Sequence, residues 1–281
     1  MTIEMFTMGK KGTEVLNEDA IFVSDRFIAA IDGCTSKSKK SFDGVSGGKV
    51  ATNLIIEVLE KCSSTDHVDL DLIMNNIKKS FANFYKANDM YEQNGFVNPV
   101  DKIAASMVIY MKQENALYFI GDCQAGFIVA GQFQHIDNKK RTSQLHAEMR
   151  AYIIQSYIKL GINQESDLQS NDFARDILLP HIANEAVFAN DPNSEFGYPV
   201  INGDNVPSSL IRKVDIPNDC KEVVLATDGY PMLFKTLNES EEHLKMSIEQ
   251  DPFCYKLTHE TKGIGDGLVA GDDRAYVRFE V

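Results

Sequence analysis

Four aspartates fall at the ends of strand-like apolar runs, and this placement constrains the chain more than any other feature. Asp32 closes Phe-Ile-Ala-Ala-Ile, Asp122 follows Leu-Tyr-Phe-Ile-Gly, Asp228 follows Val-Val-Leu-Ala-Thr, and Asp272 precedes Ala-Tyr-Val-Arg-Phe. A single Asp-Gly pair is an ordinary turn signal. Four carboxylates at the mouths of buried strands are different, because buried carboxylates are costly unless paired or metal-bound. Hard divalent cations relieve that cost, since Mg²⁺ and Mn²⁺ prefer oxygen ligands. Two such ions roughly 3.5–4 Å apart can generate a bridging hydroxide and stabilise in-line displacement at phosphorus.

The surrounding pattern predicts an α+β fold with antiparallel sheets. Ala20–Val23 and residues 27–31 read as a hairpin. From Gly48 onward, Ala51, Leu54, Ile55, Val58 and Leu59 recur at helical spacing. A second helix is expected over 71–91, with Ile73, Ile77, Phe81 and Phe84 on one face. Residues 104–136 read as a four-strand meander of 104–111, 116–120, 125–130 and 133–136. Residues 142–189 are polar with helical periodicity at Leu145, Met149, Tyr152 and Ile153, and 190–209 is loop-like. Strands are expected at 210–216, 222–227 and 274–281, with a helix over 239–250.

Composition limits the function classes. A formal net charge of −13 disfavours nucleic acid as a partner. Five scattered cysteines without a CxxC pair fit reduced thiols better than disulfides or zinc. The six histidines show no HxH or HxxxH spacing. Neither a signal peptide nor a membrane-length apolar run is visible, so a soluble, cytoplasmic protein without a membrane partner is expected. The sequence is silent on oligomeric state.

Gly44-Val45-Ser46-Gly47-Gly48 fits the G-x-S-x-G pattern of serine hydrolases, but no buried strand precedes it. Ser46 is expected to cap a helix instead. The 191–197 segment lacks the sixth-position Gly and twelfth-position Glu of a calcium loop. Cys34 and Cys123 each follow a candidate ligand and are read as small, semi-buried residues.

Asn17-Glu18-Asp19-Ala20, Ile31-Asp32-Gly33, Ser46-Gly47-Gly48, Ile120-Gly121-Asp122, Ala226-Thr227-Asp228-Gly229 and Asp272-Asp273 occur in an order that resembles the metal-dependent serine/threonine phosphatases of type 2C (PPM-type), as a divergent, bacterial-like member. The resemblance covers residues from about 10 to 281 and is poorest over 138–210. It implies one domain over 1–281 with a variable helical flap insertion at about 138–210, and a four-layer α-β-β-α sandwich of two antiparallel sheets. It implies two Mn²⁺ or Mg²⁺ ions, with room for a third. Asp32 would bridge both metals, the Gly33 carbonyl would ligate one, and Asp228 and Asp272 would complete the first site. Asp122 with Asp228 would serve a third, and Glu18 and Asp19 would hold waters. The implied substrate is phosphoserine or phosphothreonine in proteins, in a signalling role. The alternative is a catalytically weak or inactive regulatory or binding module.

Two departures from the family pattern bear on activity. Glu14 stands where the family carries a phosphate-holding Arg, and a carboxylate repels phosphate. Cys34-Thr35 follows the first Asp-Gly in place of the His that some members use as general acid. The expected replacements for the Arg are Lys37, Lys39 and Lys40, or else Lys10 and Lys11.

Overall fold

The computed structural model describes residues 2–34, 40–265 and 267–281. It contains two five-stranded antiparallel sheets. The first runs β1 (Ile3–Met8), β10 (Arg274–Glu280), β9 (Glu222–Ala226), β6 (Gln124–Val129), β7 (Gln132–Ile136). The second runs β2 (Ala20–Val23), β3 (Phe27–Gly33), β4 (Ala105–Met111), β5 (Ala116–Ile120), β8 (Arg212–Asp215). Period-two alternation explains how they stack. Ile28 and Ala30 of β3 join Val108, Phe119, Leu225 and Val277 between the sheets, whereas Ala29 and Ile31 face the helices. Each such Ile or Phe contributes about 1.5–3 kcal/mol on burial.

α1 (Gly47–Ser63) and α2 (Leu70–Ala87) cover the second sheet, and α5 (Leu237–Gln250) packs on the first through Leu244. This is the expected α-β-β-α layering. Ser46 caps α1, its hydroxyl accepting from Lys49 N at 3.3 Å, as the absence of a preceding strand required.

Four expectations need correction. The 104–136 segment forms four strands but no meander, because β5 and β6 lie in different sheets. The chain crosses between the sheets at Gly121-Asp122-Cys123, where Gly121 has φ of 104° and no room for a Cβ beside Ser106. α2 stops at Ala87; Phe84 packs, partly buried, against the expected face, and Tyr85 joins it there fully buried. The single Tyr85 hydroxyl proton is shared between the carbonyls of Asn202 (2.7 Å) and Ile103 (3.1 Å). α3 (Arg141–Lys159) buries Ala147, Arg150, Ala151 and Ile154, leaving Leu145, Met149 and Tyr152 exposed. It packs beside α4 (Phe173–Asn184) and the segment bearing Tyr255, not on a sheet, and of the periodic residues only Ile153 packs there. β1 was not foreseen; its alternation is too short to stand out without its partner β10.

One close approach fixes the end of β3. A Cβ on Gly33 would lie 2.6 Å from the Glu18 carbonyl oxygen and 2.7 Å from that of Gly48. Both obstacles are backbone and cannot swing away. Gly33→Ala should therefore destabilise the chain by about 3 kcal/mol, the upper end of over-packing costs. Urea denaturation measures it; a loss below about 0.5 kcal/mol would contradict the packing.

Candidate active site

The two stacked sheets bring carboxylates together at one edge of the sandwich. Asp32, in β3, pairs across β4 with Ser106. The Ser106 hydroxyl donates to Asp122 Oδ1 at 2.7 Å, fixing Asp122 at the crossover from β5. Asp228 follows β9 of the other sheet, on a turn tied to β6 by Gln124 Nε2 donating to the Tyr230 carbonyl at 2.7 Å. Carboxylate oxygens of Asp32, Asp122 and Asp228 all lie within 4.8 Å of one another.

The segment before β2 is drawn in by the last strand. Asp273 accepts from the backbone N–H of Lys10 and of Glu18, both at 2.8 Å. The Thr52 hydroxyl donates to the Glu18 carbonyl at 2.7 Å. Asp19 is thereby buried, and its Oδ2 has no hydrogen-bond partner among the described residues. That orphaned oxygen and the three converging carboxylates suit a hard cation.

Asp272 does not join the three. Its Oδ1 accepts from Lys10 Nζ at 3.0 Å and its Oδ2 from Lys262 Nζ at 2.6 Å. A third ammonium, Lys140 Nζ, lies 3.0 Å from Asp122 Oδ2 and 5.1 Å from the centre of the Tyr198 ring. Both oxygens of Asp122 therefore have protein partners, Ser106 and Lys140.

The electrostatics follow from this placement. Burial, then the charges of Asp228, Asp19 and Asp122, pushes the Asp32 carboxyl well above its ordinary range. Asp19 is raised by burial against a lowering hydrogen bond from Thr227. Asp228 opens onto the cavity, yet its protein surroundings, Asp122 and Asp272 raise it to about 8. Burial works the same way on Asp272, but Lys262 and Lys10 overcome it and hold that carboxyl at about 2. Burial, then Asp32, pushes the thiols of Cys34 and Cys123 upward, which makes both poor nucleophiles. All five cysteines are free.

Above the carboxylates is a cavity of about 220 Å³. Its lining includes Lys102, Lys140, Arg175 and Lys262 besides Asp32, Gly33, Asp122, Asp228 and Asp272. The lysines and the arginine were not singled out from the sequence. Lys140 sits in a Lys-Lys-Arg run that reads as solvated surface, and Arg175 has no local signal at all. Of the expected phosphate-binding lysines, Lys37 and Lys39 lie outside the described residues, and Lys40 pairs with Asp101 at 2.8 Å. Glu14 folds back on its own segment, accepting from Thr7 Oγ1 (3.0 Å) and Asn17 Nδ2 (2.9 Å).

No sequence-family model matches the chain, and no curated protein does. Solved structures do match. The catalytic domain of the serine/threonine protein phosphatase PstP, in complex with two manganese ions, aligns over 100% of this chain and 98% of its own, with TM-score 0.52 and 12% identity. Serine/threonine phosphatase Stp1 from Staphylococcus aureus aligns over 100% and 95%, with TM-score 0.51 and 14% identity. A bacterial serine phosphatase aligns over 100% and 98%, with TM-score 0.50 and 13% identity. At these identities the likeness is one of fold: the chain has the PPM-type phosphatase fold.

The Asp228 shift has a defined sign. Between its ordinary value of 3.8 and about 8, the folded chain holds a proton there that the unfolded chain has lost. Stability then falls as pH rises through that window. Asp272, held at about 2, acts oppositely: it stabilises above 3.8 and that contribution is lost as pH drops toward 2. Chelator-treated protein should lose thermal stability from pH 5 to 8, and Asp228→Asn should flatten the decline. Equal slopes in calorimetry for both proteins would contradict the assignment.

Proposed function

We propose that this chain is a divalent-metal-dependent phosphatase acting on phosphoserine or phosphothreonine in proteins. The observation that carries the proposal is the convergence of Asp32, Asp122 and Asp228 from the strand ends of both sheets. The fold shared with serine/threonine phosphatases supports it. Asp32 and Asp228 would be the principal ligands, with the Gly33 carbonyl beside them. Asp122 would contribute as far as Lys140 yields it, and Asp272 would join once Lys10 or Lys262 gives way. When bound, Mn²⁺ or Mg²⁺ supplies Lewis acidity toward the phosphoryl group and the attacking water. Glu18 and Asp19, pinned through Asp273 and Thr52, would orient water at the edge of the cluster. A role in cytoplasmic signalling is part of this proposal.

A second reading has its own observation. Lys10 and Lys262 on Asp272, with Lys140 on Asp122, already place three ammonium groups among the carboxylates. On that reading tethered ammonium replaces part of the metal, and the chain is a catalytically weak or inactive module that binds phosphorylated partners.

Hydrolysis of p-nitrophenyl phosphate and then of phosphoserine and phosphothreonine peptides, with and without Mn²⁺, separates the two. The phosphatase reading expects activity that EDTA abolishes and that Asp32→Asn lowers on the order of hundredfold, the scale of several kcal/mol of lost charge stabilisation. It also expects Mn²⁺ at about 100 times its Kd to stabilise the fold by about 2.7 kcal/mol. Full activity in EDTA would overturn it, as would a melting temperature that Mn²⁺ leaves unmoved. Lys262→Ala should tighten Mn²⁺ binding in titration calorimetry, because it removes a competing cation from Asp272. Unchanged or weaker binding would show that Lys262 does not compete there.

A further inference from the structure

Among the cavity's cations, Arg175 stands apart. Lys102 pairs with Asp204, Lys140 with Asp122 and Lys262 with Asp272. Arg175, in the first turn of α4, is half-buried, lines the same cavity, and has no carboxylate within ion-pair distance among the described residues. The acid three residues before it is already committed. Asp172 accepts from Arg150 at 2.7 and 2.8 Å and caps α4 through the Arg175 backbone N–H at 3.0 Å. One Arg175 N–H donates to the Thr261 carbonyl, next to Lys262. A half-buried guanidinium with no carboxylate in contact is costly, and an anion in the cavity would relieve that cost. Burial lowers its pKa, and Arg150 adds to that; Asp172, Asp272 and Asp176 oppose it from beyond ion-pair distance without reversing it.

A phosphate monoester suits this arrangement. Its dianion offers planar pairs of oxygens that a guanidinium fork grips two at a time, which an ammonium cannot do. In the N-terminal segment Glu14 is held by Thr7 and Asn17, and Lys10 is engaged by Asp272. We propose that Arg175 grips the phosphoryl oxygens of the substrate from α4, with Lys262 beside it, in place of an arginine from the N-terminal segment. The proposal rests on the phosphatase reading for its substrate, though not for its anion.

The test compares wild type, Arg175→Ala and Arg175→Lys on p-nitrophenyl phosphate with Mn²⁺, with orthophosphate as competitive inhibitor. Arg175→Ala should raise KM and the orthophosphate Ki together, on the order of tenfold to hundredfold for one lost charge-assisted contact. Arg175→Lys, which keeps the charge and loses the fork, should fall between. The Mn²⁺ Kd by calorimetry and the melting temperature should change little. KM and Ki within twofold of wild type in both variants would overturn the proposal. So would rises that appear only alongside weakened Mn²⁺ binding and a lowered melting temperature, since those report a structural role. Should wild type hydrolyse nothing, ³¹P NMR titration with orthophosphate decides separately. Binding that Arg175→Ala weakens upholds the anion site and removes the phosphatase reading; no binding by wild type overturns both.

Discussion

Mutual repulsion among carboxylates at the seam of the sandwich sets the terms for the rest of the molecule. β3 and the β5–β6 crossover deliver Asp32 and Asp122 from one sheet, and β9 delivers Asp228 from the other, because both sheets end at the same edge. At about 4 Å and an effective dielectric near 20, each like-charge pair costs about 4 kcal/mol. The chain cannot relieve this by moving the acids outward without unpairing strands. Protons, ammonium groups or divalent ions must enter instead, and the raised carboxyls of Asp32, Asp19 and Asp228 express that demand.

The lysines that answer it come from three separated segments, which makes charge balance an organising contact as well as a local one. Lys10 precedes the Glu18-Asp19 segment, Lys140 opens α3, and Lys262 lies midway along the loop after α5. Arg150 reinforces the last of these. Its buried guanidinium holds Asp172 and donates to the carbonyls of Phe253, Cys254 and Glu260, joining α3, α4 and that loop. The helices over the cavity are therefore held largely by polar contacts between segments, with a small apolar cluster around Ile154 and Tyr255. Such a cover differs in kind from the inter-sheet core beneath it, which is apolar throughout.

Elements whose stability is local were legible in the sequence. Runs such as Phe27–Ile31 alternate between two buried faces, and the α1 stripe of Ala51, Ile55, Val58 and Leu59 matches one helical face, so periodicity located them. β1 escaped because it depends on β10, some 270 residues away. The meander was misread because hydrophobic alternation reports burial and not which sheet receives the strand. On α3, apolar residues at helical spacing face solvent while Arg150 is buried, since the helix docks onto a polar loop. The acids were legible for the converse reason: a carboxylate at the end of an apolar run is anomalous wherever it occurs.

The amino-acid sequence by itself determined that acidic groups would terminate buried antiparallel strands, and hence that this edge of the molecule would need positive charge. It also determined the glycines, such as Gly33 and Gly48, that let backbone approach backbone there. Which positive charges arrive, and on which acid, was decided only by the tertiary structure. Lys140, Arg175 and Lys262 are ordinary surface residues when read along the chain. Their role arises from docking geometry that brings them over the seam, and a lysine or arginine in sequence carries no record of the carboxylate it will meet. For the same reason Asp272 and Asp228 look alike in sequence and differ in the fold, the first held by two ammonium groups and the second left facing its neighbours.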